Sequence, residues 1–277
     1  MPELPEVENI ARNLRDGHPS LLGRLIQKVH QVWDGVLSAD FGRDSLFELQ
    51  GCRFTSINRH GKFLILGLKT PVGQSDAALF LVIHLRMTGR LFLVPHCQAF
   101  DRHTRLTLLL DDDVALRFDD SRKFGRVWLV DDPAEVIAGL GPDALSAEYE
   151  EFASRFAAYR RQLKPLLLDQ SFLAGIGNIY ADESLFRARL HPLTISSNLA
   201  PVDVKRLFNG IKSVLDEAVA AKGANVDGVF NAGDFIVSVY GRDGRQCPAC
   251  GTRIIKIRVG QRGTHLCPLC QKLSEKQ

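Results

Sequence analysis

Cys247-Pro248-Ala249-Cys250 and Cys267-Pro268-Leu269-Cys270 stand near the C-terminal end of a 277-residue sequence, separated by sixteen residues. Two closely spaced thiolate pairs on separate knuckles can complete a tetrahedral four-sulfur site of the kind structural zinc prefers. The segment between them alternates, with Ile254, Ile255, Ile257 and Val259 ahead of Gly260 and Gly263, which fits a short β-hairpin. The module therefore reads as a zinc ribbon. Two disulfides or a redox pair would use the same residues. The N-terminus, however, opens on Pro2, Glu3 and Glu6 rather than on a basic and then apolar signal, so a reducing, cytoplasmic setting is expected, where disulfides are rare. Four thiolates leave no open coordination position, so one structural zinc and no catalytic metal are expected. Cys52 and Cys97 are expected to be buried free thiols.

Charge concentrates on the same segment. The whole chain carries a formal charge of +3, yet residues 241–277 hold eight Lys/Arg against Asp243 and Glu275. A basic terminal module on a slightly acidic body points to an anionic partner at that end, although charge runs are also common on solvated faces. Arg262, between Gln261 and Gly263 near the hairpin, is a candidate phosphate contact or a solvated arginine. Hydrophobic residues at 45% and charged residues at 24% are ordinary globular values, and no apolar run reaches the roughly 18 residues of a membrane span.

Outward from the ribbon, the preceding stretch is helical in pattern: 149–161, 163–168, 179–189 and 202–221. Before the break at Gly141-Pro142 the texture changes. Apolar, β-branched runs at 63–68, 79–85, 106–110 and 127–130 are separated by turn signals at 71–73, 111–113 and 131–133, which suggests a β-sandwich. The Asp clusters read as turns rather than metal ligands. Residues 1–16 look helical after Pro5, with Val7, Ile10, Ala11 and Leu14 at helical spacing. The expected fold is α+β in two domains with a cleft between them. An N-terminal β-sandwich with an N-terminal helix spans 1–133, followed by a linker at 134–148. A helical domain spans 149–240, and the ribbon spans 241–277. Gly175-Ile176-Gly177-Asn178 reads as a tight turn opening a helix, whose free N–H groups suit phosphate.

The N-terminal residues carry a chemical possibility of their own. Once Met1 is excised, Pro2 presents a secondary amine. An α-amino group with a pKa of about 8 is roughly a tenth unprotonated at pH 7, several-hundred-fold more than lysine. A neutral amine can attack a sugar carbon, and a secondary amine then yields a cationic iminium that acidifies the neighbouring C–H. Glu3 can shuttle protons beside it. Most N-termini are frayed and inert, which is the plain alternative.

The pieces also occur in a specific order: Met1-Pro2-Glu3-Leu4-Pro5-Glu6-Val7-Glu8, 58–63 around Lys62, His84-Leu85-Arg86-Met87-Thr88-Gly89, Asp120-Ser121-Arg122-Lys123-Phe124-Gly125, Leu163-Lys164, 175–183 around Asn178, and the four-cysteine ribbon with Gln261-Arg262. Together they resemble the bacterial formamidopyrimidine-DNA glycosylase family, related to endonuclease VIII, over nearly the whole chain. The resemblance implies a helix-two-turns-helix domain before the ribbon. It also implies a monomeric, nucleoid-associated base-excision enzyme acting on double-stranded DNA with a damaged base or abasic site. In that reading Pro2 is the nucleophile at C1′ and Glu3 the acid that opens the sugar. Lys62, grouped with that catalytic pair, and His84, Asn178 and Arg262 match phosphate-gripping positions. Glu6 matches a base-pocket or conformational carboxylate, and Lys164 a lysine near the base pocket. Met87, Arg122 and Phe124 match the intercalating set; without the resemblance Met87 would read as core.

Two features depart from the family pattern. The stretch 223–235, where relatives carry a longer loop over a flipped 8-oxoguanine, is short, and Arg86 stands where glycine is commoner. The first leaves open a preference for oxidised pyrimidines. A DNA-structure binder without catalysis is a further alternative, against which Pro2 and Glu3 both argue.

Overall fold

Apolar and β-branched runs in the first half form strands that pack into a shared core. The computed structural model describes residues 2–38, 45–71, 78–225 and 233–273. The turn signal at 71–73 and the centre of the short stretch 223–235 fall partly outside them. After helix α1 (Leu4–Asp16) come β1 (Ile26–Gln31), β2 (Arg53–His60), β3 (Phe63–Lys69) and β4 (Leu79–His84). Then follow β5 (Gly89–Pro95), β6 (Thr104–Leu110), β7 (Val114–Asp120) and β8 (Arg126–Val130). They form two antiparallel four-stranded sheets, β1-β6-β7-β5 and β2-β3-β4-β8. Phe54, Leu64, Leu66, Leu81 and Leu129 from one sheet share a buried cluster with Leu108, Leu116 and Phe118 from the other. Val7, Ala11 and Leu14, the apolar stripe of α1, enter the same cluster. The outer face of β4 and β8 buries Val82, Trp128 and Val130, with Val136 from α2 (Ala134–Ile137) against them. Asp111-Asp112-Asp113 is the β6–β7 turn, with φ of 55° and 56° at Asp112 and Asp113. Two consecutive left-handed residues match the twist of a tight hairpin.

In the second half the pattern changes to a period of 3.6 and the core to Leu, Phe and Ala. Helices α3 (Tyr149–Ala157), α4 (Leu163–Leu168), α5 (Asn178–Arg187) and α6 (Pro201–Ala220) bury Phe152, Leu166, Phe172, Tyr180, Leu185, Leu207 and Leu215 together. Pro201 opens α6 at a position where its missing N–H costs nothing. Strands β9 (Ile255–Val259) and β10 (Arg262–Leu266) pair antiparallel as the expected hairpin. Gln271 ties the second knuckle to the helices through Leu190 O (3.0 Å).

The chain separates into two compact units after Gly139. The ribbon belongs to the second unit, and so do residues Glu3–Glu6, while Val7 onward belongs to the first. Within the stretch read as a linker, Ala134–Ile137 is helical and Asp143 pairs with Ala174, because residues 140–148 already pack on the helical core. Cys52 is buried as expected. Cys97 is not: it is exposed in the turn after β5, where Gln98 N–H bonds back to Pro95 O.

Candidate active site

Helix α5 begins at Asn178, and its first N–H groups need acceptors. Glu3 supplies them. Its carboxylate accepts from Gly177 N (2.9 Å), Ile179 N (3.0 Å) and Tyr180 N (3.3 Å), and the residue is only 1% exposed. A Cβ at position 177 would collide with that carboxylate, so glycine is required for the approach. These N–H groups are therefore not free for phosphate, as the Gly175–Asn178 turn suggested; an internal anion sits at the positive end of the helix. The bond from Leu4 N to Gly175 O (3.1 Å) fixes the same segment. Pro2, peptide-bonded to Glu3, is buried.

Glu6 lies one turn further on. It accepts from Glu3 N (2.9 Å), the Tyr180 hydroxyl (2.5 Å) and Ala224 N (2.8 Å). Burial pushes its carboxyl up to about 7 against the lowering pull of the Tyr180 hydroxyl, and the Glu3 charge adds to the rise. It thus ties the N-terminal segment to the start of the short 223–235 stretch. At Gly223 the backbone is left-handed (φ +91°), and an added Cβ would meet Glu6.

Lys164, expected near a base pocket, is fully buried. Its ammonium is paired with Asp182 (Nζ–Oδ1 2.5 Å) and donates to Gly263 O (3.1 Å) in β10. Burial lowers its pKa, and the Asp182 charge opposes that. Asn178 Nδ2 donates to the same carbonyl (3.2 Å), while its Oδ1 is buried without a partner. Asp182 Oδ2 also accepts His265 N (2.9 Å). Two helices thereby grip the backbone of β10 beside Arg262, whose side chain is exposed. Lys164 thus latches the ribbon, its ammonium joining Asp182 of α5 to the Gly263 carbonyl of β10.

The first unit assembles a separate group. β4 pairs with β8 and β5 with β7, so the β4–β5 connection and the β7–β8 connection cross between the sheets side by side. They carry Met87 and Arg122–Phe124. Met87 is 39% exposed and Phe124 46%, far from the core role that composition alone would assign to Met87. The Arg122 guanidinium lies 4.7 Å from the Phe124 ring centroid. His84, opposite Phe63 in the register, accepts from Arg86 N through Nδ1 (2.9 Å), which leaves Nε2 as the donor. Burial, with the charges of Arg86 and then Lys62 adding to it, pulls the His84 pKa down to about 3, so the ring is a neutral donor at pH 7. Arg86 has φ 54°, a conformation that L side chains adopt at a cost of about 1 kcal/mol and glycine adopts freely.

The four ribbon cysteines place their Sγ atoms within 4.8 Å of one another, with Cys247–Cys270 at 3.9 Å and Cys250–Cys267 at 3.4 Å. A tetrahedral four-sulfur zinc site with bonds near 2.3 Å has sulfur separations of about 3.8 Å. The set fits one structural zinc, and Cys247 N to Thr252 O (2.9 Å) and Cys267 N to Gln271 Oε1 (3.0 Å) shape the two knuckles.

Family models match in the same order as these parts. The formamidopyrimidine-DNA glycosylase N-terminal domain covers residues 1–127, the formamidopyrimidine-DNA glycosylase H2TH domain 139–228, and the zinc finger found in FPG and IleRS 244–273. The chain belongs to the formamidopyrimidine-DNA glycosylase family. The formamidopyrimidine-DNA glycosylase of Heliobacterium modesticaldum is 40% identical over 290 residues, covering 98% of this chain and all of that protein. That of Protochlamydia amoebophila is 36% identical over 284 residues, with coverage of 98% and 100%. Lactococcus lactis Fpg in complex with abasic-site DNA superposes with a TM-score of 0.87 at 30% identity, over 98% of this chain and all of that one. MutM bound to DNA containing carbocyclic 8-oxo-G gives 0.86 at 31% identity, with the same coverage.

Three buried polar side chains that hold this site together were not singled out from the sequence. Tyr180, Asp182 and Glu183 all lie in the quoted 175–183 motif, and all three are buried. Glu183 accepts from Ser238 N (2.8 Å), Val239 N (2.9 Å) and Tyr240 N (2.9 Å), the segment leading into the ribbon. The available signal was a run of acidic residues inside an otherwise buried helix, which demands partners.

Proposed function

We propose that this chain is a bifunctional DNA glycosylase and abasic-site lyase that removes oxidised purines from double-stranded DNA. The observation that carries the reading is Glu3, a buried carboxylate held by three N–H groups at the start of α5 and directly bonded to Pro2. Such a carboxylate is preorganised next to the α-amine that Met1 removal exposes.

In the proposed reaction the neutral Pro2 nitrogen attacks C1′, and the bond from C1′ to the damaged base breaks as the base leaves. The proton that the Pro2 nitrogen sheds on bonding to C1′ passes to the Glu3 carboxylate, which delivers it to the ring oxygen, while the departing base takes a proton from water; the C1′–O4′ bond breaks, the sugar opens, and an iminium remains between Pro2 and C1′. The iminium acidifies C2′–H. Loss of that proton breaks the C3′–O bond, and a second elimination breaks the C5′–O bond. Hydrolysis of the iminium then frees Pro2. The protein supplies the amine, the acid and a fixed geometry; zinc stays outside the chemistry and holds the ribbon.

Binding divides between two groups of donors. Lys62 and the neutral Nε2–H of His84 would grip phosphates from the first unit, and Arg262 with the second Nδ2–H of Asn178 from the second. Met87 and Phe124 fill and wedge the stack that a flipped nucleotide leaves, and Arg122 bonds the orphaned base. The L. lactis complex with abasic-site DNA and the MutM complex with 8-oxo-G DNA support lesion-bearing duplex as the substrate class. Strand cleavage of abasic-site duplex by protein of confirmed mass tests the reading. Protein lacking Met1 cleaves, and a form with one extra residue before Pro2 binds without cleaving. Equal cleavage by both removes Pro2 from the mechanism.

A further inference from the structure

Asp120 ends β7 and is completely buried, yet it belongs to neither the proposed chemistry nor the proposed phosphate contacts. Its backbone is pinned on both sides. Its N–H donates to His103 O (2.8 Å), and its C=O accepts from Arg105 Nε (2.8 Å). The carboxylate is what distinguishes it. Oδ1 accepts from Arg122 N (3.1 Å) and from the Thr88 hydroxyl, and Oδ2 accepts from Gly125 N (2.7 Å). The Thr88 hydroxyl in turn lies 3.3 Å from Arg122 N. Thr88 is the residue after Met87, and Arg122 and Gly125 bracket Lys123 and Phe124. One carboxylate therefore holds both connections that carry the exposed apolar side chains.

We infer that Asp120 is the positioning residue for the wedge: its carboxylate sets Met87, Arg122 and Phe124 in mutual register before DNA arrives. This rests on the reading proposed above for those three side chains. The physical need is plain. Lys123 has φ 59°, and the 121–125 turn has no strand pairing of its own, so its shape must come from elsewhere. Buried, charge-assisted bonds to backbone N–H groups are short, directional and about twice as strong as neutral ones. Packing seconds the carboxylate, because a Cβ at Gly125 would strike Phe118 and approach Asp120 Oδ2 to 3.2 Å. Wedge insertion requires side chains already in place, since a mobile wedge must be ordered at the expense of binding.

The test uses Asp120→Asn and Thr88→Val in the full zinc-loaded protein. Asparagine keeps the size but turns an N–H₂ toward either Gly125 N or Arg122 N. Three signals are read: single-turnover cleavage of 8-oxoguanine duplex, cleavage of single-stranded abasic DNA, and fluorescence of 2-aminopurine opposite an abasic analogue in bound duplex. The single strand has no stack to wedge. We expect duplex cleavage to fall at least about tenfold for Asp120→Asn, the rate equivalent of one charged hydrogen bond. The 2-aminopurine change should shrink in parallel, with single-strand cleavage within about twofold of wild type. Duplex cleavage at the wild-type level, or an equal fall on both substrates, overturns the inference. Should Asp120→Asn not fold, Thr88→Val decides by the same criteria. A wild-type protein that cleaves neither substrate defeats the proposed function instead, and the fluorescence of the bound complexes then decides on Asp120 alone.

Discussion

Replacing Lys164 by methionine removes the ammonium paired with the buried carboxylate of Asp182, while keeping the length and apolar stem of the side chain. Breaking a buried pair by removing one partner costs about 3–5 kcal/mol, because the other charge is left uncompensated. Asp182 retains His265 N at 2.9 Å and the His265 ring Nδ1 at 3.3 Å, so the lower end, about 3 kcal/mol, applies here. At a urea slope of roughly 2–3 kcal/mol per molar, the midpoint falls by about 1 M or more. The effect is local to the second unit, and the protein carries its own control: both tryptophans, Trp33 and Trp128, lie in the first unit. Zinc release, followed with a chromogenic chelator, reports the ribbon, and tryptophan fluorescence reports the sandwich. Lys164→Met should advance zinc release and leave the tryptophan transition in place. Combining it with Asp182→Asn removes the orphaned charge, keeps an acceptor for His265 N, and should recover half or more of the loss. Zinc release within about 0.5 kcal/mol of wild type, together with lost base excision, would show that Lys164 works at the base and that the buried pair is not part of the folded enzyme.

Three other outcomes follow from the same geometry. Glu6 holds its proton in the folded protein up to about pH 7, against 4.5 for the free group. Its contribution to stability is therefore complete below pH 4.5 and lost as pH rises to 7, about 3 kcal/mol in all; the stability difference between Glu6→Gln and wild type should move in the variant's favour across that window and flatten above it, and a difference constant from pH 5 to 8 contradicts it. Cys267→Ser should take zinc from about one per chain to none and weaken binding to duplex DNA, since a structural zinc site contributes folding energy directly; active protein without zinc by elemental analysis contradicts this. The short 223–235 stretch should leave strong cleavage of abasic and formamidopyrimidine duplexes and weaker preference for 8-oxoguanine opposite cytosine. A clear single-turnover advantage for 8-oxoguanine shows that the stretch does not set lesion choice.

Where local pattern determines structure, the sequence was readable. The cysteine spacing gave the ribbon, apolar runs between turn signals gave β3, β4, β6 and β8, and Leu163–Leu168 was bounded correctly at both ends. Pro2 and Glu3 were singled out by amine chemistry and by the ordered set of motifs, but nothing in the composition of an N-terminus says that the Glu3 carboxylate is held by three N–H groups. What stayed hidden was long-range pairing. A glycine turn at a helix start looks open to phosphate until Glu3, 174 residues away in sequence from Gly177, is seen to fill it. Lys164 looks like an available cation until Asp182 is placed against it. Asp120 reads as a strand end, and only the side-by-side crossing of two connections gives its carboxylate a task. Cys97 shows the converse: a residue type that is usually buried sits in an exposed turn, and its neighbours gave no warning.

Borohydride reduction during reaction with abasic-site duplex, followed by peptide mass spectrometry, bears most directly on the central claim. An iminium formed by the N-terminal amine is reduced to a stable amine that links protein to DNA. The adduct should appear in full yield only on reduction, map to the peptide beginning at Pro2, and vanish in protein with a residue before Pro2. An adduct on a lysine, or strand cleavage with no trapped species, would contradict the account.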